Sequence, residues 1–251
     1  MIKFNSKPGL VVYVTVGDPD IATSRAIILA AIDAGADVIE LGVPFSDPVA
    51  DGPVIQRASE RALQSGTSLT DVLKLAGEIR RERPQAGLII FSYLNPLLRM
   101  GLERFVDEAK RAGVDGALVT DLTLEEAEEH RALMKSRGLA TIFLAAPTST
   151  DQRLKQIAAA SSGFIYAVSR TGVTGAQTTM ADDAERLVKR IKKVSKLPVA
   201  VGFGVSTAQH FRDVGRYADA AVVGSAIMKI VAKHGKESPA KVAEFIRGLK
   251  A

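Results

Sequence analysis

Apolar and polar positions alternate along this chain in blocks. Short β-branched runs recur at 10–16 (LVVYVTV), 37–42 (DVIELG), 87–94 (GLIIFSYL), 116–121 (GALVTD), 140–146 (ATIFLAA), 164–169 (FIYAVS), 198–204 (PVAVGFG) and 220–226 (AAVVGSA). Most lack strict alternation, which predicts strands buried on both faces of a parallel sheet. Between them lie segments with helical spacing, among them SRAIILAAIDAG, LTDVLKLAGEIRRER, LERFVDEAKRAG, LEEAEEHRALMKSRG and TDQRLKQIAAA. Gly35, Gly113 and Gly138 follow three of these just before the next strand, where a helix ends most easily in a left-handed residue. AGADVIE and AGVDGALV are near copies of one unit, a helix end, a glycine, an acidic residue and a strand, and predict an internal βα repeat.

Eight such strand–helix units in 251 residues predict a single-domain (β/α)8 TIM barrel over residues 1–251. A doubly wound sheet is the competing arrangement. It calls for a glycine-rich dinucleotide loop after the first strand, and GDPD (17–20) is not one. The segment before the first strand, MIKFNSKPG, is short. Lys3 and Lys7 ahead of an apolar run mimic an export signal, but no small-residue cleavage site follows. No uncharged run is long enough to span a membrane.

Composition narrows the chemistry. Hydrophobic residues make up 47%, enough for a large core. Cysteine is absent, which excludes disulfides and thiolate metal sites and fits a reducing cytoplasm. The net charge of +5 is spread over helical segments and suits an anionic small substrate. With no Trp and 5% aromatics, no basic-aromatic surface for nucleic acid is legible. His130, His210 and His234 all fall away from strand ends, which disfavours a metal-dependent epimerase and Ser-His-Asp catalysis. No lysine lies inside a strand run, which argues against a Schiff base.

In a barrel the site forms where strands end and helices begin. SRTGVTGAQ (169–177), GFGVS (202–206) and GSA (224–226) bring small residues and free backbone N–H groups to one rim, with helix starts expected at Ser206 and Ser225. That is a phosphate-binding arrangement, although such glycines can also simply relieve turns. Glu40 shares the parity of Val38 and Gly42 and so points into the barrel mouth. There, desolvation would raise its pKa and fit it for proton transfer, or else a structural Arg or amide pairs with it. Asp51 is either an acceptor for a substrate N–H or a turn-forming Asp before Gly. Asp47, before Pro48, reads as a loop brace.

The run IELGVPFSDPVADGPVIQRAS (39–59) resembles the signature of the tryptophan synthase alpha subunit family. GDP after the first strand, SYLNPLLRMGLERF, SRTGVTGA, VGFGVS and VVGSAI occur in that family's order, so the similarity covers nearly the whole chain. The resemblance implies a (β/α)8 barrel lyase that splits indole-3-glycerol phosphate by retro-aldol cleavage into indole and glyceraldehyde 3-phosphate. It implies catalytic roles for Glu40 and Asp51 and a site tyrosine at Tyr166. Phosphate contacts map to Gly175, Gly204, Gly224 and Ser225, and Thr174 to a loop-closing threonine. Tyr13, Ile55 and Tyr93 map to the indole pocket, with Tyr13 standing where the family often has Phe. No cofactor or metal is implied in this chain. A beta subunit carrying pyridoxal phosphate is, in an alpha2beta2 complex. The chain departs from the family in its shortened N-terminal segment, where a helix usually covers the barrel floor. It also reads Thr120-Asp121-Leu122-Thr123 where PDLP is common, in a loop that tends to face the partner. A sugar-phosphate isomerase, a stand-alone indole-releasing lyase and a mainly regulatory alpha subunit are the competing readings.

Overall fold

The computed structural model describes residues 2–168, 177–202 and 204–251, and side chains within 177–181 are outside it as well. Strands and helices alternate: β1 (Gly9–Thr15), α1 (Ile21–Asp33), β2 (Val38–Gly42), α2 (Pro53–Gln64), α3 (Leu69–Glu82), β3 (Gly87–Ser92), α4 (Leu94–Met100), α5 (Leu102–Arg111) and β4 (Gly116–Val119). They continue with α6 (Glu128–Ser136), β5 (Ala140–Ile142), β6 (Leu144–Ala145), α7 (Asp151–Ala160), β7 (Ile165–Val168), α8 (Gln177–Val194) and β8 (Val199–Gly202). The chain ends with α9 (Ala208–Gly215), β9 (Ala220–Val223), α10 (Ser225–His234) and α11 (Ser238–Lys250).

All strand pairs are parallel, in the order β5-β4-β3-β2-β1-β9-β8-β7-β6. The two ends of that order, β5 and β6, are separated in the chain only by Phe143. The Tyr166 N–H donates to the Phe143 carbonyl at 3.1 Å, so the sheet closes on itself across this break. The nine pieces are therefore eight staves of a barrel, as the periodicity predicts. Each stave is buried on both sides, outward against the helices and inward against the other staves.

The repeat seen in the sequence has a specific use. Asp37, Asp115 and Asp219 each precede a strand. Each donates its backbone N–H to a residue starting a neighbouring strand, Leu10, Leu88 or Val199, at 2.8–3.0 Å. Each carboxylate then accepts the N–H of that same residue at 2.8–2.9 Å. A reciprocal pair of this kind satisfies strand-end donors that would otherwise be orphaned inside the fold. The glycines before these units, Gly35 and Gly113, have φ of +106° and +73°, and Gly138 has +68°, as expected of helix terminators.

The barrel interior is filled at the N-terminal ends of the strands by Val11, Val38, Ile89, Leu118, Ile142, Phe164, Ala200 and Ala220. The segment before β1 is not helical, but it reaches this layer. Ile2 packs into it, and Phe4 lies against Phe164 with ring centroids 6.0 Å apart. A Cβ on Gly9 would fall 2.4 Å from Phe4, so the small residue is what lets the ring in. Two side chains thus close the barrel floor.

Three boundaries differ from the sequence expectation. β3 stops at Ser92, because Tyr93 turns to cap α4. The helix expected from Leu124 begins only at Glu128, after a turn braced by Thr123 on Glu126. The helix expected from Ser206 begins at Ala208, because the Thr207 hydroxyl accepts the His210 N–H at 3.1 Å and so takes the cap position.

His130 on α6 is buried against Phe105, and its Nδ1 has no partner. Burial pushes its pKa from 6.5 down to about 4. The folded state therefore binds this proton less readily than the unfolded chain. Its contribution is present above pH 6.5 and is lost as the pH falls toward 4. Chemical denaturation across this window should show parental stability falling by up to about 1.4 kcal/mol per pH unit more steeply than that of His130→Leu, which carries no such proton.

Candidate active site

A cavity of about 390 Å³ opens at the C-terminal ends of the strands. Strand parity decides what lines it. Tyr13 on β1 and Glu40 on β2 are direct partners in the register, and both face inward with Phe91 of β3 and Tyr166 of β7. Glycines make room for these rings. A Cβ on Gly42 would lie 2.4 Å from the Tyr13 hydroxyl, and one on Gly202 would lie 2.6 Å from that of Tyr166. The Tyr13 ring meets Phe91 edge-on at 5.0 Å, and its hydroxyl accepts from Thr15 at 3.2 Å.

Glu40 has no exposed surface, and among the described residues neither carboxyl oxygen has a hydrogen-bond partner. Among the described residues no Arg or amide pairs with it. Burial alone pushes its pKa up to about 8. At neutral pH it is a protonated acid at the wall of a cavity, with acceptor capacity once that proton leaves. Asp51, in the loop between β2 and α2, sits differently. Its Oδ2 accepts the Tyr93 hydroxyl at 2.9 Å. Burial raises its pKa, and the Tyr93 bond opposes that rise. Burial, with Glu40 and Asp51 nearby, holds Tyr166 as a neutral phenol.

The opposite side of the cavity has features that suit an anion. α10 starts at Ser225 with Gly224 in the cap position and no capping side chain, so its first-turn N–H groups face the opening without a side-chain acceptor. Gly204, at φ +59°, contributes a turn of backbone beside it. Lys229, one turn further along α10 on the Ser225 face, adds an ammonium to this rim.

A sequence model described as "Tryptophan synthase alpha chain" matches residues 1–250. The chain belongs to this family. It is 45% identical over 251 residues to the tryptophan synthase alpha chain of Solibacter usitatus, covering 99% of this chain and 94% of that one. With that of Geotalea daltonii it shares 47% over 248 residues, covering 98% and 94%. Among solved structures, the fold matches a chain of the tryptophan synthase a2b2 complex of Pyrococcus furiosus with a TM-score of 0.92. Identity there is 40%, and coverage is 97% of this chain and 98% of that one.

Within that family frame, the structure gathers Glu40, Asp51, Ile55, Tyr166, Gly204, Gly224, Ser225 and Tyr13 around one cavity. Thr174 and Gly175 lie outside the described residues. Tyr93, expected in the pocket wall, is not part of that wall. Its ring stacks on Phe45 at 5.1 Å, while its hydroxyl accepts the Ala50 N–H and donates to Asp51. It supports the carboxylate, and Phe91 takes the wall position instead. Phe91 and Lys229 were missed in the sequence. The parity of Phe91 with Ile89, and the i+4 spacing of Lys229 from Ser225, were the signals available. Asp47 is the brace expected, accepting the Ser46 hydroxyl at 2.6 Å and, through its carbonyl, the Val49 N–H at 2.8 Å. Among the described residues no group of His, Cys, Asp and Glu could hold a metal ion.

The raised pKa of Glu40 has a measurable consequence. The folded state holds this proton more tightly than the unfolded chain, so its stabilising contribution is complete below pH 4.5 and is lost as the pH rises to about 8. Glu40→Gln, which cannot ionise, should therefore gain in thermal midpoint relative to the parent as pH increases across this range. A difference between the two that stays flat with pH would show Glu40 to be ordinarily solvated.

Proposed function

We propose that the chain is the lyase subunit that cleaves indole-3-glycerol phosphate into indole and glyceraldehyde 3-phosphate. The observation that carries this reading is the protonated carboxyl of Glu40 facing the cavity, without a partner among the described residues, in a chain of this family. Glu40 gives its proton to C3 of the indole ring. The bond between C3 and the glycerol carbon then breaks, its electron pair returns to the ring, and the resulting Glu40 carboxylate takes the proton of the glycerol hydroxyl as that oxygen becomes the aldehyde. The acid is regenerated, and no other reactant is consumed. Asp51 accepts the indole N–H and stabilises the positive charge that protonation at C3 places on the ring. Tyr166, Phe91, Tyr13 and Ile55 enclose the ring, and Tyr93 orients Asp51. Gly204, Gly224 and Ser225 hold the phosphate, and Lys229 adds charge at the same rim; Gly175 and Thr174, which the family resemblance assigns to phosphate contact and loop closure, lie outside the described residues.

The relatives support a wider assignment. The chain works in tryptophan biosynthesis in the cytoplasm as the alpha part of an alpha2beta2 assembly. The chain itself carries no cofactor, and the beta subunit carries pyridoxal phosphate. Residues 1–251 act as one domain, consistent with α11 returning to α1, where Lys250 donates to the Gly35 carbonyl at 2.8 Å. No described helix is long and apolar enough to cross a membrane.

Single-turnover indole release tests the assignment. Glu40→Gln should lose roughly 10²-fold or more in kcat, the scale of acid–base catalysis, and Asp51→Asn a smaller factor, while both still bind glycerol phosphate. Cleavage retained in Glu40→Gln would remove the proposed acid. Running the parent with and without a beta subunit separates a lyase from a mainly regulatory subunit.

The phosphate rim has its own test. A Cβ on Gly224 would stand 3.2 Å from that of Tyr13, so Gly224→Val crowds the α10 start against the cavity wall. KM should rise by about tenfold or more with a smaller change in kcat. An unchanged KM would place the phosphate elsewhere.

A further inference from the structure

Asp51 stands on a loop, yet its position is tied to the body of the barrel through α2. At the far end of that helix, Arg61 lays its guanidinium fork on Asp18. Nε and Nη2 each donate to one carboxylate oxygen at 2.8 Å, and Asp18 is only 1% exposed. One turn on, the Ser65 hydroxyl donates to the Gly17 carbonyl at 3.1 Å, and the Gly17 N–H donates to Ser24 on α1 at 2.9 Å. Gly17 itself has φ +95°, and a Cβ there would meet Thr67 at 2.0 Å, so this loop and the end of α2 are fitted closely together. At the near end of the helix, the Gln56 amide donates to the Asp51 carbonyl at 2.9 Å. A bidentate pair fixes orientation as well as distance, and a helix transmits it as a rigid rod.

We propose that Arg61 is a positioning residue for Asp51: its fork on Asp18 sets the seat of α2 on the barrel, and Gln56 passes that seat to the Asp51 backbone. The inference rests on the reading of Asp51 as the acceptor for the substrate N–H. A displacement of about 1 Å at a reacting group can cost up to 10²-fold in rate, so loss of the fork should be visible in turnover.

The test compares full-length Arg61→Met, Asp51→Asn and the double variant by single-turnover indole release, with glycerol phosphate binding and thermal midpoints measured in parallel. Arg61→Met should lower kcat by about tenfold, while glycerol phosphate binds within about twofold of the parent, because the hydrogen bonds of Arg61 go to Asp18 and not to the rim on α10. In the Asp51→Asn background the same change should alter kcat by less than about twofold, because the group it positions is already disabled. An equal loss in both backgrounds, as general destabilisation would give, overturns the inference while leaving Asp51's role standing. Asp51→Asn cleaving at the parental rate overturns both. Should Arg61→Met fail to fold, Gln56→Met interrupts the same link at its other end and leaves the ion pair whole. It should lower kcat about threefold or more with the same dependence on Asp51, and the parental rate in that variant overturns the inference.

Discussion

Eight parallel strands wrapped into a closed sheet create an interior that water must not occupy, and everything else in this molecule follows from how that interior is filled. At one end it is packed solid. Valine, isoleucine, leucine and phenylalanine side chains from successive staves meet there, and Ile2 and Phe4 seal them from below. At the other end the inward positions are a mixture of large rings and glycines, so the filling is incomplete and a cavity remains. The inward stripe of β2 passes from Val38 through Glu40 to Gly42, from packed floor to open mouth, and the acid sits at the transition between them.

That position gives the two acids different characters. Glu40 lies among apolar and aromatic groups, with no hydrogen-bond partner among the described residues, and burial favours its neutral form. Asp51 has a phenol donating to it, which favours its charged form against the effect of burial. One carboxyl prepared to give a proton and another prepared to meet positive charge are the two groups that breaking a bond to an electron-rich ring needs. The anion rim lies across the mouth on α10, separated from Glu40 by β1 and β9 in the sheet order. Between that rim and the acid lies β1, where Tyr13 forms the wall.

Polar groups elsewhere serve rigidity. The aspartates before β2, β4 and β9 lock neighbouring strands at their starts, and the Asp18–Arg61 pair locks α2 at its end. The three aspartates satisfy strand N–H groups at their neighbours' starts, and Arg61 supplies donors to a carboxylate that is itself buried. Glu40 is the contrast: it is a deeply buried acid for which the described residues supply no donor at all.

The sequence by itself determined the barrel. Period and β-branched content mark each stave, Gly35, Gly113 and Gly138 mark helix ends, and local chemistry is enough for these because strand burial and left-handed turns are decided by a few consecutive residues. It also marked Glu40, because a carboxylate in an apolar run with inward parity is conspicuous whatever surrounds it. Whether that acid is paired was beyond sequence, since a partner can come from any stave, and only closure of the sheet shows that none of the described residues does so. Closure likewise decided that Tyr93 leaves the wall to hold Asp51, that Phe91 replaces it, and that Lys229 reaches the rim. It also set the hidden use of Arg61, whose partner Asp18 stands 43 residues away in the chain. Contacts made across a closed barrel depend on stagger and on which helix lies over which strand, and no local pattern carries that information.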